Sequence, residues 1–324
     1  PLLAKGKLPE DWQVLEEQFL CMGRYGPISR ATLVRRGSLG PSLPVILKKL
    51  PAGGGAGEEM KHFIELMKFH IQICTHDSLV KALWCQSQTL PLCLVLEAMS
   101  LGNFLGFLWQ TRQGSVPRKG HIHVLTEKKV FAMAIQIARG LDYLTASQRL
   151  IHGDVAARNV LIHQDLTVRL CGLGLAGEVS RRPAVEAAEV PIKWLPPERI
   201  LKHPVTARSD VWAFGILLYE AVTLGAPPYP ALQPSEVLPW LQRQHRMEKP
   251  DQCGDDLYRI MRSCWQWKAS KRPTFSQLID QLDSHVPRAN EAETLAATER
   301  LDLSDYQRTA GVSPREVQLC LSEP

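Results

Sequence analysis

The sequence predicts an α+β fold in two lobes, a small β-rich lobe over residues 19–99 and a larger, mainly helical lobe over residues 100–285. Two observations carry this reading. Short apolar runs with strand-like spacing crowd the first hundred residues: Thr32–Arg36, Pro44–Leu50, Leu79–Cys85 and Leu92–Glu97. Beyond residue 100 the apolar residues recur every three to four positions instead, over Thr126–Leu144 and Ser209–Glu220, which is the period of a helix.

Composition bounds what such a protein can be. The 324 residues are 45% hydrophobic and 22% charged, ordinary for a soluble globular chain long enough to build two lobes on a sizeable core. A net charge of +5 without a dense Lys/Arg run argues against nucleic acid as a partner. The eight cysteines are scattered and form no C-x-x-C pair, so they read as small core hydrophobes in a reducing compartment rather than as metal ligands. No run of 18 apolar residues would span a membrane, and any anchor would lie in a segment outside this chain.

In chain order, residues 1–18 form an N-terminal segment ending in the helix-like Asp11–Glu17. Gly23, Gly26 and Pro27 precede the strand at Thr32; an ordinary Gly-Pro turn and a loop that needs close backbone approach fit them equally. The strand Pro44–Leu50 carries Lys48 near its end, and a loop of Gly and Ala separates it from a helix over residues 58–76 with apolar faces at Met60, Phe63, Met67, Ile64 and Ile71. Two further strands flank a turn at Ser87–Pro91. Ser100–Asn103 opens a helix over Phe104–Gln110, and residues 111–124 form a basic exposed loop. Thr126 caps the long helix that follows. After Thr167–Cys171, a short strand, residues 175–190 are polar and Ala-rich. From residue 286 to 324 the chain is polar and Ala/Glu-rich, and is expected to be a largely disordered tail.

The stretch that carries chemistry is His152-Gly153-Asp154-Val155-Ala156-Ala157-Arg158-Asn159, followed by Val160-Leu161-Ile162 and then by Gly172-Leu173-Gly174. With Pro191-Ile192-Lys193-Trp194-Leu195-Pro196-Pro197-Glu198, Asp210-Val211-Trp212-Ala213-Phe214-Gly215 and Cys264-Trp265 before Lys271-Arg272-Pro273, it resembles a protein tyrosine kinase domain, over residues of about 20–285. The Ala156-Ala157-Arg158 triplet and Pro191–Trp194 point to tyrosine rather than serine/threonine kinases, while the stretches His152–Val155, Cys171–Ala176 and Thr223–Pro230 resemble those of a receptor-like member with a membrane span and almost no ectodomain.

The resemblance implies a bilobal kinase fold and assigns roles. Asp154 would accept the proton of the substrate hydroxyl, Arg158 would orient the loop, and Asn159 would hold one Mg²⁺. Gly23, Gly26 and Ile28 would stand for the glycine-rich loop over ATP, with two residues fewer than the family pattern. Lys48 would bind phosphate and pair with Glu65 unless Glu65 is simply a solvated helix residue. Ile46 would crowd the adenine, backbone groups of Glu97 and Met99 would meet its edge, Leu96 would be the gatekeeper, and Leu161 would lie beneath the ring. Glu198 and Arg272 would form an ion pair across 74 positions.

Two departures limit the chemistry. Gly172 stands where the metal-binding Asp of the D-F-G motif should be, and it cannot ligate; Glu178 is a possible substitute. Gly153 replaces the arginine that holds a phosphorylated activation segment, and none of the six tyrosines lies between Gly174 and Pro191. Either the domain is locked in one state or both features decayed once activity was lost. The expected function is that of a catalytically impaired pseudokinase working through signalling proteins, other kinases or receptors; the alternative is an active atypical tyrosine kinase using ATP and Mg²⁺. The expected location is the cytoplasmic side of a single-pass membrane protein. Tyr306, beside acidic residues, is a candidate phosphosite in the tail or a tyrosine of no special role.

Overall fold

The computed structural model describes residues 3, 6–37, 40–53, 57–112, 117–118, 121–176, 190–297 and 299–321. Its first lobe is a five-stranded antiparallel sheet in the order β1-β2-β3-β5-β4, made of β1 (Trp12–Met22), β2 (Pro27–Arg35), β3 (Leu43–Leu50), β4 (Ala82–Gln86) and β5 (Leu92–Glu97). Alternation decides which side faces in. In β2, Ser29, Ala31 and Leu33 are buried while their neighbours are less so; in β3, Val45, Leu47 and Leu50 do the same. Helix α1 (Gly57–Ile73) packs on the sheet through Phe63, Met67, His70 and Ile73.

The segment Asp11–Glu17, expected to be helix-like, is instead the start of β1. Its apolar residues suit either period, and the pairing of Trp12–Leu15 with Thr32–Arg35 decides for strand. The N-terminal segment of residues 1–18 therefore contributes to the sheet rather than preceding it.

The second lobe begins with β6 (Gly102–Asn103) and α2 (Phe104–Arg112). A short two-stranded ladder, β7 (Pro117–Arg118) with β8 (His121–Ile122), lies where a basic loop is expected. Next come α3 (Glu127–Asp142), β9 (Val160–Ile162), β10 (Val168–Leu170), α4 (Pro197–Ile200), α5 (Ala207–Val222), α6 (Val237–Gln242), α7 (Asp255–Cys264) and α8 (Phe275–His285). Thr126 caps α3 by accepting the Lys129 amide, and Thr206 and Thr274 open α5 and α8 with capping boxes.

Helix α5 is buried on nearly its whole circumference from Ser209 to Val222. The amphipathic reading of Ser209–Glu220 thus gives way to a helix threaded through the core, with two carboxylates, Asp210 and Glu220, about 15 Å apart along it. This is the architecture of the bilobal kinase fold, a sheet-rich lobe on a helical one.

Beyond α8 the tail differs from the expectation of disorder. Helices α9 (Leu303–Ala310) and α10 (Pro314–Leu321) pack on the second lobe, and Leu295, Tyr306, Ala310, Val312, Val317 and Cys320 are buried. The polar composition hid a sparse apolar stripe at helical spacing, Tyr306 with Ala310 and Val317 with Cys320. Such a stripe is enough when a preformed surface receives it.

Candidate active site

The loop His152–Asn159 is held from below by α5. Asp210 accepts the backbone amides of His152 (2.7 Å) and Gly153 (2.9 Å), and Glu220 accepts that of Ala157 (2.9 Å) and the indole N–H of Trp194 (3.0 Å). Each carboxylate stands in for the sheet or helix partner that a loop amide otherwise lacks. Sequence reasoning missed both. Their signal is an acid at each end of a helix otherwise made of apolar residues. Burial raises the Asp210 carboxyl, though the two amides and the nearby His152 and Arg199 draw it back. Burial lifts Glu220 to about 7.

His152 fixes the loop from within. Its Nε2 lies 2.8 Å from the Cys171 carbonyl and therefore donates, which leaves Nδ1 to accept the Asp154 amide at 3.1 Å. The Asp154 carboxylate is held on both oxygens. It accepts Arg158 Nη2 on one oxygen and Asn159 Nδ2 (2.8 Å) on the other, and Asn159 Nδ2 also reaches the Asp154 carbonyl at 2.8 Å. Asp154, Arg158 and Asn159 thus form one connected group. Arg158 is almost wholly buried and lies over the Trp194 ring, 4.6 Å from its centroid. Burial works against its charge, and Asp154, Glu316 and Glu220 more than restore it.

Where the arginine of the loop motif is replaced by Gly153, a second guanidinium arrives from elsewhere. Arg199 of α4, buried, donates to the Gly153 carbonyl. It follows Glu198, whose carboxylate takes both arms of Arg272 at 2.7 and 2.8 Å. Glu198 stays below the usual carboxylate range: burial pushes it up, and the Arg272 hydrogen bonds and charge push it further down. The pair expected between Glu198 and Arg272 is therefore present and bidentate.

Gly172 opens the degenerate triplet with φ +70°, the left-handed region. A Cβ built there would fall inside 3.0 Å of the Asn159 side-chain amide, closer than real Cβ atoms come to anything. The position lacks more than a carboxylate: the space a side chain would need is filled. Asn159 Nδ2 is turned to Asp154 and its Oδ1 to bare Gly172, and the described residues offer no group of three or more His, Cys, Asp or Glu side chains for a metal. Glu178 lies outside the described residues.

Above the loop is a cleft of about 220 Å³ between the lobes. Ile28, Lys48, Glu97, Met99 and Leu161 line it, as do Ile46 and the expected gatekeeper Leu96. Gly23 and Gly26 do not. Gly23 donates to the Gly26 carbonyl at 2.7 Å, closing a tight turn between β1 and β2. A Cβ on Gly26 would strike the Lys49 carbonyl, so this turn folds onto the end of β3 rather than over the cleft.

Lys48 and Glu65 are not joined by an ion pair among the described residues. Glu65 lies on the exposed face of α1, two positions before the buried Met67, so its helical phase turns it away. The α1 residue that lines the cleft with Lys48 is His70. It donates Nδ1–H to the Leu66 carbonyl at 2.9 Å, and burial, assisted by the Lys48 charge, lowers its pKa to about 4. A neutral imidazole stands where a carboxylate is expected. The Glu97 side chain, for its part, is engaged by Arg169 of β10 (2.6 Å) and the Lys81 amide (2.7 Å), tying the strand that leads out of the first lobe to the second.

Tyr306 is 1% exposed, packed edge-on to Trp109 of α2 with ring centroids 4.9 Å apart. It lies in α9, and its ring is out of reach of an external enzyme while α9 stays in place. Leu319 of α10 is also part of the cleft lining, a position no strand or loop motif predicted.

Comparison with known proteins agrees with this geometry. The family model for the protein tyrosine and serine/threonine kinase domain matches residues 14–282. The chain is 41% identical to human tyrosine-protein kinase STYK1, which is also called novel oncogene with kinase domain, over 96% of this chain and 74% of that protein. It is 38% identical to the mouse protein over 99% of this chain and 75% of the relative. Fibroblast growth factor receptor 1 of Xenopus laevis is more distant, 31% identical over 90% of this chain and 38% of the receptor.

Proposed function

The chain belongs to the protein tyrosine and serine/threonine kinase family, and from that premise we propose that it is a tyrosine-kinase-like signalling domain that works by binding protein partners, with phosphoryl transfer impaired. The observation that carries the proposal is Gly172 together with the Asn159 amide that fills its side-chain space. In this family the carboxylate at that position positions the metal that neutralises the transferring phosphate. Losing one preorganised electrostatic group commonly costs ~10²–10³ in rate. The residues present fit a Mg²⁺-nucleotide poorly: Asn159 gives its Nδ2 to Asp154 and leaves Oδ1 as a lone ligand facing bare Gly172, and the described residues hold no group of three or more His, Cys, Asp or Glu to complete a metal site.

What the remaining residues do is hold a proton acceptor. Asp154 is oriented by Arg158 and Asn159, and its side chain is 16% exposed beside the two cleft-lining residues that hold it. That favours a second reading, an atypical active tyrosine kinase, because an acceptor so placed serves a substrate hydroxyl well. A phosphotransfer assay decides. Purified wild-type chain and Asp154→Asn are expected to label a tyrosine-bearing protein substrate equally, at background. Labelling by wild type that Asp154→Asn abolishes would overturn the proposal in favour of the second reading.

The receptor relatives support reading the chain as the cytoplasmic signalling part of a membrane protein, with kinases or receptors as partners. No helix among the described residues is long and apolar enough to cross a membrane.

A further inference from the structure

Helix α10 begins with a capping box that the sequence spells out as Ser313-Pro314-Arg315-Glu316. The Ser313 hydroxyl takes the Glu316 amide (3.2 Å), and Glu316 Oε2 takes the Ser313 amide (2.7 Å). The helix then presents Glu316, Val317, Leu319 and Cys320 to the rest of the molecule. Glu316 Oε1 lies 3.5 Å from Arg158 Nε, so the capping carboxylate also pairs with the arginine that orients Asp154. Arg315 Nε donates to the Met22 carbonyl (2.9 Å), on the last residue of β1 before the shortened turn. Leu319 enters the cleft beside Lys48 and Leu161. One helix therefore touches the first lobe, the catalytic loop and the space between them.

The receiving surface is shaped for it. Gly106 sits inside α2, where glycine is a poor helix residue. A Cβ at this position would run into the Cys320 carbonyl well inside 3.0 Å, against backbone that cannot swing aside. Glycine here lets the end of α10 lie directly on α2. The Tyr306–Trp109 contact fastens α9 one turn further along the same helix.

We propose that the interlobe cleft of this chain is the binding site for its own C-terminal helix, so that α10 and any ligand of the cleft exclude one another. The 220 Å³ that remain are below the 300–1,000 Å³ usual for small-molecule clefts, and Leu319 is part of what closes them. The ligand class the site takes is an amphipathic helix with a glutamate at its third position for Arg158 and an apolar residue three positions later for the cleft. This holds whether or not the cleft transfers phosphate.

The test uses the full-length chain in three forms: wild type, Leu319→Glu and Gly106→Ala. The probe is a fluorescein-labelled peptide of residues 299–324 with the natural sequence. Leu319→Glu spoils the tail and leaves the groove; Gly106→Ala spoils the groove and leaves the tail. The peptide is expected to bind Leu319→Glu at least tenfold more tightly than wild type, whose own helix competes, and not to bind Gly106→Ala. The second readout is alkylation of Cys171, a cleft-lining thiol, followed by peptide-resolved mass spectrometry; its rate should rise at least tenfold in both variants. Equal peptide binding by all three forms, or no binding to Leu319→Glu, would overturn the proposal. So would an unchanged Cys171 rate in Gly106→Ala, a result that stands even if Leu319→Glu fails to fold. Neither readout depends on nucleotide or on catalysis, so failure here is separable from failure of the proposed function.

Discussion

At Gly172 the absence of a side chain has been built around. Restoring the family residue with Gly172→Asp is expected to lower unfolding stability by ~1–3 kcal/mol, seen in denaturant melts, because the new Cβ meets the Asn159 amide in a left-handed backbone. It should not bring back transfer by itself. Glu220 makes a second residue-scale prediction. Its carboxyl titrates at about 7 in the fold against 4.5 in an unfolded chain, because burial favours the neutral form. Protonation therefore stabilises the folded state; the contribution is whole below about pH 4.5 and is lost as pH rises through about 7. Glu220→Gln keeps an oxygen for Ala157 and Trp194 and removes the titration. Chemical melts across that range should show the wild type losing up to ~3 kcal/mol relative to the variant as pH rises. His70 has the opposite sign: held neutral to about pH 4, it contributes stability that is present above pH 6.5 and lost as acid reaches its folded value.

At the scale of elements, the Glu198–Arg272 pair joins the end of the activation segment to the loop before α8, and the Arg272 side chain is fully buried. Arg272→Ala strands a buried carboxylate, and melts should show a loss of ~3–5 kcal/mol. Both partners were legible in the sequence because each sits in a motif. The strands of the first lobe and the loop from His152 to Asn159 were legible for the same reason: alternation and local spacing encode them. What stayed hidden depends on helix phase and on distant packing. Glu65 sits on the right helix with the wrong phase, and only the packing of Phe63, Met67 and His70 against the sheet reveals it. Asp210 and Glu220 looked like the polar side of α5 until the helix proved to have no exposed side. The tail is hidden because its polar composition masks a sparse apolar pattern; Ser313 and Glu316, three residues apart, are the sign it carries. Ser313→Ala should cost about 1 kcal/mol of local stability, read as faster amide exchange confined to α10.

For the molecule as a whole, the lobes are joined both by the ion pair of Glu97 with Arg169 and by α10, which spans from the Met22 carbonyl to Gly106. A thermal shift of wild type with ATP, with and without Mg²⁺, is therefore expected to show no stabilisation, whereas a ligand at 100 times its Kd would add ~2.7 kcal/mol. A shift that requires Mg²⁺ would mean that a metal-nucleotide site survives. The burial of Tyr306 between α9 and α2 has one more result. Any reagent that attacks this ring can do so only during the intervals when the helix is off. When attack is slow beside reclosing, the rate of modification divided by that of a free tyrosine equals the fraction of time the tail spends away. A single ring thus acts as a clock on the molecule, and what accumulates on it is a tally of openings.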